Sequence, residues 1–255
     1  MTNSFIKAEL WPHIPATDTP VMEPDPELLD ALWPSARQAI TGFAAAAGLS
    51  RSKRVAIPEW SSACVISCVG EVATPISISD ALRFENSAEA LLIYEQWGWS
   101  LPIQFLERLC KVLTPKALLL DRVDTASLDS AAAKELGKQV PFVGEVWSFS
   151  KLLGFPGGGL LRINGEWQGA PEANPLDGIR WPSDSETVTP ETLHISKSHA
   201  SHPPPELVEF SQTRRLSSAI ESEARNRCRN LEMVINEGLG VDWPVWMQDF
   251  VQAEG

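Results

Sequence analysis

The sequence predicts an α/β fold with a mainly parallel sheet, and three observations carry that prediction. Short apolar or β-branched runs alternate with helical runs from residue 53 to residue 148. Their spacing suits right-handed βαβ units, in which successive strands join one sheet. At 255 residues the chain has room for one large domain, or for one domain with an appendage. In such sheets ligands bind beyond the carboxyl ends of the strands, so strand-end residues are read first for function.

Residues 1–28 form an irregular arm in which Pro12, Pro15, Pro20, Pro24 and Pro26 stand among acids. Trp11 and Trp33 could pin it to a core or to a partner subunit. Residues 28–47 read as an Ala-rich helix stopping at Gly48, with Pro34 and Ser35 near a helix start and Ala36, Arg37 and Gln38 in its first turn. That stretch is either an ordinary amphipathic helix or one whose free N–H groups hold a phosphate. A strand follows at 53–58, ending at Pro58, then a helix over 61–70 and a strand over 74–78. Residues 88–94 form a buried strand, 103–113 a helix, 116–121 a strand ending in Asp121, and 140–148 contain one more strand. Residues 166–206, rich in Pro, Ser and Glu, read as an extended surface segment. His194, His199 and His202 lie in it, read as solvated rather than metal-bound. A single long charged helix is expected over 205–236.

Composition narrows the function. Hydrophobic residues make up 44% and charged residues 21%, ordinary for a globular protein. A net charge of −12 argues against a nucleic-acid partner. No apolar run approaches the ~20 residues a membrane helix needs, and the start lacks a signal-peptide pattern. Cys64, Cys68, Cys110 and Cys228 show no metal-ligand spacing and read as free thiols. The expectation is a reduced, cytoplasmic protein without a metal.

The chemistry centres on residues 147–161. Lys151 follows Ser148 and Ser150 in an apolar segment, with Gly157, Gly158 and Gly159 close behind. An amine in apolar surroundings loses proton affinity, and the neutral amine attacks carbonyls. The serines offer donors to an anion, and the glycines allow close backbone approach. These are parts for a Lys Schiff base with a phosphorylated aldehyde. The plainer alternative is a solvent-facing lysine at a strand end, followed by a turn.

Ser148-Phe149-Ser150-Lys151 with its Gly-rich sequel resembles the cofactor-carrying segment of fold-type I pyridoxal-phosphate (PLP) aminotransferases. The resemblance widens to 33–40, 54–58, 118–121 and 148–161, which keep the order and spacing of the large domain of the DegT/DnrJ-type sugar aminotransferases. It covers roughly residues 30–165, and weakly 214–230. It implies a three-layer PLP-transferase large domain over 29–165, with 207–255 a long helix and the remnant of a mostly missing small domain. It implies amino transfer from an amino acid donor to a keto sugar nucleotide, in a homodimer. Lys151 carries the cofactor and shuttles a proton, Ser148 binds its phosphate with Ala36, Arg37 and Gln38, and Asp121 faces the pyridine nitrogen, with Asp124 the neighbouring alternative. Trp60 is the candidate to cover the ring face, although Ser62 aligns better. Ala36 and Arg37 replace the family's Gly and Thr. The rival readings are a catalytically inactive partner or regulatory subunit of this fold, and an α/β protein without PLP.

Overall fold

The computed structural model describes residues 23–83, 88–98, 100–171 and 202–237. Trp11, His194 and His199, most of the amino-terminal arm and the end of the chain lie outside the described residues. The described part is a mixed α/β structure with one eight-stranded sheet and helices on both faces.

Five strands run parallel: β2 (Arg54–Ile57), β3 (Thr74–Ser77), β4 (Ala90–Tyr94), β5 (Ala117–Asp121) and β6 (Phe142–Ser148). Three antiparallel strands, β1 (Leu32–Trp33), β7 (Gly159–Ile163) and β8 (Glu166–Gln168), extend the β6 edge. The order is β1-β7-β6-β5-β4-β2-β3, with β8 also paired to β7. The chain steps outward from β2 to β3 and then returns to the other side of β2 to form β4. That reversal makes a topological switch point, where open α/β sheets leave a crevice at their carboxyl edge.

Side chains alternate across the strands and build two cores. Leu119, Leu92, Val55 and Val146 pack under α2 (Ala36–Ala46) and α3 (Ala63–Val72). Leu118, Leu120, Leu91 and Ile93 pack under α5 (Ile103–Leu113) and α6 (Ala131–Leu136), with α4 (Ile78–Arg83) beside them. The period of two in β5 is the pleat itself, each successive leucine going to the opposite face. A third cluster joins Trp147, Phe149 and Leu160 to α1 (Pro26–Asp30), α7 (Phe149–Leu152), α8 (Pro205–Thr213) and α9 (Leu216–Glu237).

Two helix expectations are corrected. The helix expected over 28–47 is divided: α1 ends at Asp30, β1 pairs Leu32 with Leu160 and Trp33 with Gly159, and α2 begins after Ser35. The ladder to β7 takes backbone groups that a continuous helix would have used internally. The helix expected over 205–236 is also divided, because Arg214 is extended and ends α8. Asp25 then accepts from the Ser217 N–H at 2.9 Å and starts α9. The extended segment expected from residue 166 begins instead as strand β8, turned back by Asn164 and Gly165 at positive φ.

Candidate functional site

A cavity of about 690 Å³ opens at the carboxyl ends of β4, β5 and β6, beside the switch point. Its floor is the end of β5. Asp121, the last residue of that strand, is 1% exposed and lines the cavity. Burial pushes its carboxyl up to about 7; the negative charges of Asp124 and Glu95 add to the rise, while the Val123 N–H and the charge of Lys151 oppose it. A carboxyl so placed gains strongly from a cationic partner entering the cavity.

Lys151 lines the same cavity. Strand β6 ends at Ser148, and the single turn α7 carries Lys151 into the cavity rim. Ser148 Oγ and Ser150 Oγ share a hydrogen bond of 2.9 Å and both line the cavity. Lys151 Nζ lies 3.4 Å from Asp124 Oδ1, and the Tyr94 hydroxyl donates to Asp124 Oδ2.

The third wall is the start of α2. Ser35 is extended and accepts from the Gln38 N–H at 3.3 Å, the N-cap arrangement for its residue type. Ser35, Ala36 and Arg37 line the cavity, whereas the Gln38 side chain is buried and does not. Helix and β7 meet backbone to backbone: the Gly158 N–H donates to Pro34 O at 2.8 Å. Gly158 has φ +86, and a Cβ there would lie 2.3 Å from Leu207 Cδ2.

Asp121, Ser148, Lys151, Ala36 and Arg37 are thus brought to one cavity, and Gln38 stands just behind it. Trp60 is 58% exposed and does not line it. The turn after β2 contributes Ser61, Ser62 and Cys64 instead. Ser61 Oγ is buried there and has no hydrogen-bond partner among the described residues. No set of three His, Cys, Asp or Glu converges as a metal site among the described residues, and no described helix is long and apolar enough to cross a membrane.

No protein-family model matches the chain, and no curated protein matches it. Among solved structures it is similar to several aminotransferases. NtdA from Bacillus subtilis, solved with bound cofactor PMP, is 18% identical over 52% of this chain and 32% of that one, with a TM-score of 0.41. A putative sugar aminotransferase from Streptococcus pneumoniae in its PLP form is 14% identical over 63% of this chain and 49% of that one, at 0.42. A DegT/DnrJ/EryC1/StrS aminotransferase from Brucella abortus is 11% identical over 55% and 46%, at 0.41. This chain therefore spans less than half the length of each. These are partial likenesses, and what the cavity can do rests on its own residues.

Some functional contacts escaped the sequence. Tyr94, the chain's single tyrosine, ends β4 and lines the cavity, and its strand-end position was the available signal. Arg227 on α9 donates to Asp124 O at 2.6 Å and to Lys151 O at 3.0 Å. No local pattern announces a helix arginine that reaches residues so far away in sequence.

Proposed function

We propose that the cavity binds pyridoxal phosphate and that the chain is a PLP-dependent aminotransferase-like protein. The observation carrying this is the placing of buried Asp121 and of the Lys151 amine on the walls of one cavity. The residues fit the group. A deeply buried carboxyl, raised toward neutrality by burial, suits a protonated ring nitrogen. The Ser148 and Ser150 hydroxyls and the first-turn N–H groups of Ala36 and Arg37 suit a phosphate. Lys151 Nζ suits the aldehyde.

When bound, PLP supplies an electron sink that eases negative charge at the α-carbon of an amino acid. The chain's residues do the rest. Asp121 keeps a proton on the ring nitrogen. Lys151 Nζ would hold the cofactor by its aldehyde group and, when free, would hold and move the proton at the donor's α-carbon. Asp124 Oδ1, 3.4 Å from Lys151 Nζ, orients the amine at the cavity rim. The donor is an amino acid, the acceptor a keto sugar of the nucleotide type, and the working form a homodimer; the resemblance over residues 30–165 supports these choices.

A second reading is a cofactor-binding partner or regulatory subunit that does not turn over. It is favoured by the cavity wall after β2, where Ser61, Ser62 and Cys64 stand and Trp60 turns to solvent, so that this wall offers no ring to cover a cofactor face.

The test is the visible spectrum of the protein with added PLP, followed by borohydride reduction and peptide mapping, beside Lys151→Ala. A new band and a pyridoxyl mass on Lys151, both absent from the variant, are expected. Identical spectra for the two proteins and free PLP would sink the proposal. Trapping on Lys151 without conversion to the pyridoxamine form by any amino donor would select the second reading.

A further inference from the structure

The closed ring of contacts between α9 and the site assigns a role to a residue outside the cavity. Lys151 and Asp124 face each other through their side chains at 3.4 Å. Their backbone carbonyls are both held by one guanidinium: Arg227 Nη1 donates to Asp124 O at 2.6 Å, and Nη2 to Lys151 O at 3.0 Å. Glu223, one turn earlier on α9, accepts from Arg227 Nε at 2.7 Å and fixes the direction of the fork. The same Asp124 carbonyl also rests against Gly98, where a Cβ would lie 2.6 Å from Asp124 O. The geometry points to Arg227 as a positioning residue: by clamping two backbones from different strands, it sets the distance between the Lys151 amine and the Asp124 carboxylate.

Asp124 lies in the turn after β5 and Lys151 in α7 after β6, so their separation depends on two segments that different strands deliver. A planar guanidinium with two parallel N–H groups can span two carbonyl oxygens, which a lysine ammonium cannot do with the same fixed geometry. Helix α9 is itself docked through Leu216, Ala219 and Ile220 in the third core cluster, so the clamp transmits the placement of that helix to the amine. The consequence for cofactor capture rests on reading Lys151 as the cofactor lysine; the clamp itself does not.

The test is a carbodiimide cross-link on the full chain. The reagent activates the Asp124 carboxylate, Lys151 Nζ displaces it as the urea, and an amide forms between the two, read by peptide mass. The native chain is expected to give the Lys151–Asp124 amide. Arg227→Ala should lower its yield roughly tenfold, the scale of losing charge-assisted hydrogen bonds. Arg227→Lys should recover part of it, and added ethylguanidinium should restore Arg227→Ala toward the native yield. Arg229→Ala, an exposed change on the same helix, should leave it unaltered. The rate of borohydride-trapped PLP on Lys151 should follow the same order.

Equal cross-link yields in native chain and Arg227→Ala would overturn the proposal, as would equal losses in Arg227→Ala and Arg229→Ala, which would make it helix docking alone. If PLP is never trapped while the cross-link still depends on Arg227, the cofactor reading fails and the clamp stands.

Discussion

A Cβ on Gly159 would lie 2.7 Å from the Ala36 backbone nitrogen, so the start of β7 and the first turn of α2 touch through bare backbone. That contact places the free N–H groups of α2 over the cavity beside Ser148. Only a residue without a side chain permits the approach, and the obstacle is main chain, which cannot rotate away. Gly159→Ala is therefore expected to destabilise the protein by roughly 1–3 kcal/mol, as overpacking does. It should also weaken binding of PLP, because the shifted turn carries the anion donors. Urea unfolding and a PLP titration check both; unchanged PLP affinity would show that α2 does not hold the phosphate.

How much of this was legible beforehand depends on whether the determining contact is local. Helix α5 was read to its observed ends, since its apolar spacing lies within its own residues. The strands ending at Asp121 and Ser148 were legible for the same reason, and their ends bring Asp121, Ser148 and Lys151 to one cavity. The break at Leu32–Trp33 was not, because it depends on pairing with Leu160 and Gly159, far along the chain. The break before α9 depends likewise on Asp25. Nor were the Tyr94–Asp124 and Arg227 contacts legible, since each joins segments far apart in sequence whose meeting is decided by the finished fold.

Asp121 gives the site a pH signature. Burial holds its carboxyl at about 7 in the folded protein, against an ordinary 3.8. Between those values the folded protein keeps a proton that the unfolded chain has released. Stability from this group is therefore greatest below 3.8 and falls as the pH rises toward 7, by on the order of 4 kcal/mol in all. Asp121→Asn cannot titrate there, so its stability should fall less than the native protein's over the same window. Urea midpoints measured across that range decide it, and parallel pH profiles would contradict the assignment.

Glu145 is the anchor behind the site. Its two oxygens accept from Arg122 Nη1 at 2.8 Å and Arg162 Nε at 2.7 Å, and it is 2% exposed. Both guanidiniums also lie against the Trp147 ring, at 5.3 and 4.8 Å. Arg122 further donates to Glu95, which keeps the β4 and β5 ends together under the cavity. Glu145→Ala leaves two buried cations short of a counterion and should cost about 3–5 kcal/mol. Glu145→Gln keeps the shape and one acceptor oxygen, so its loss should be smaller. Guanidinium unfolding of the three proteins ranks them, and a near-neutral Glu145→Ala would mean that Glu95 carries the balance alone.

Asp25 separates the stability of α9 from the action of its Arg227. Its carboxylate accepts from the Ser217 N–H at 2.9 Å and from Arg215 Nε at 2.6 Å, capping the helix from a distant part of the chain. Burial pushes this carboxyl up, but the hydrogen bonds from Ser217 and Arg215 prevail and hold it below its ordinary 3.8. A depressed value means stability that is present above 3.8 and lost as the pH falls through the lower folded value. Asp25→Ala should cost about 1 kcal/mol at neutral pH, as loss of a cap does, and Asp25→Asn less, since an amide oxygen still accepts. Both should blunt the loss of stability in acid. Arg227 lies about three turns further on, beyond the reach of a frayed first turn. Asp25→Ala is therefore expected to lower the thermal midpoint yet leave the Lys151–Asp124 cross-link intact. A cross-link lost along with the cap would place control of the amine in the docking of the whole helix rather than in one guanidinium.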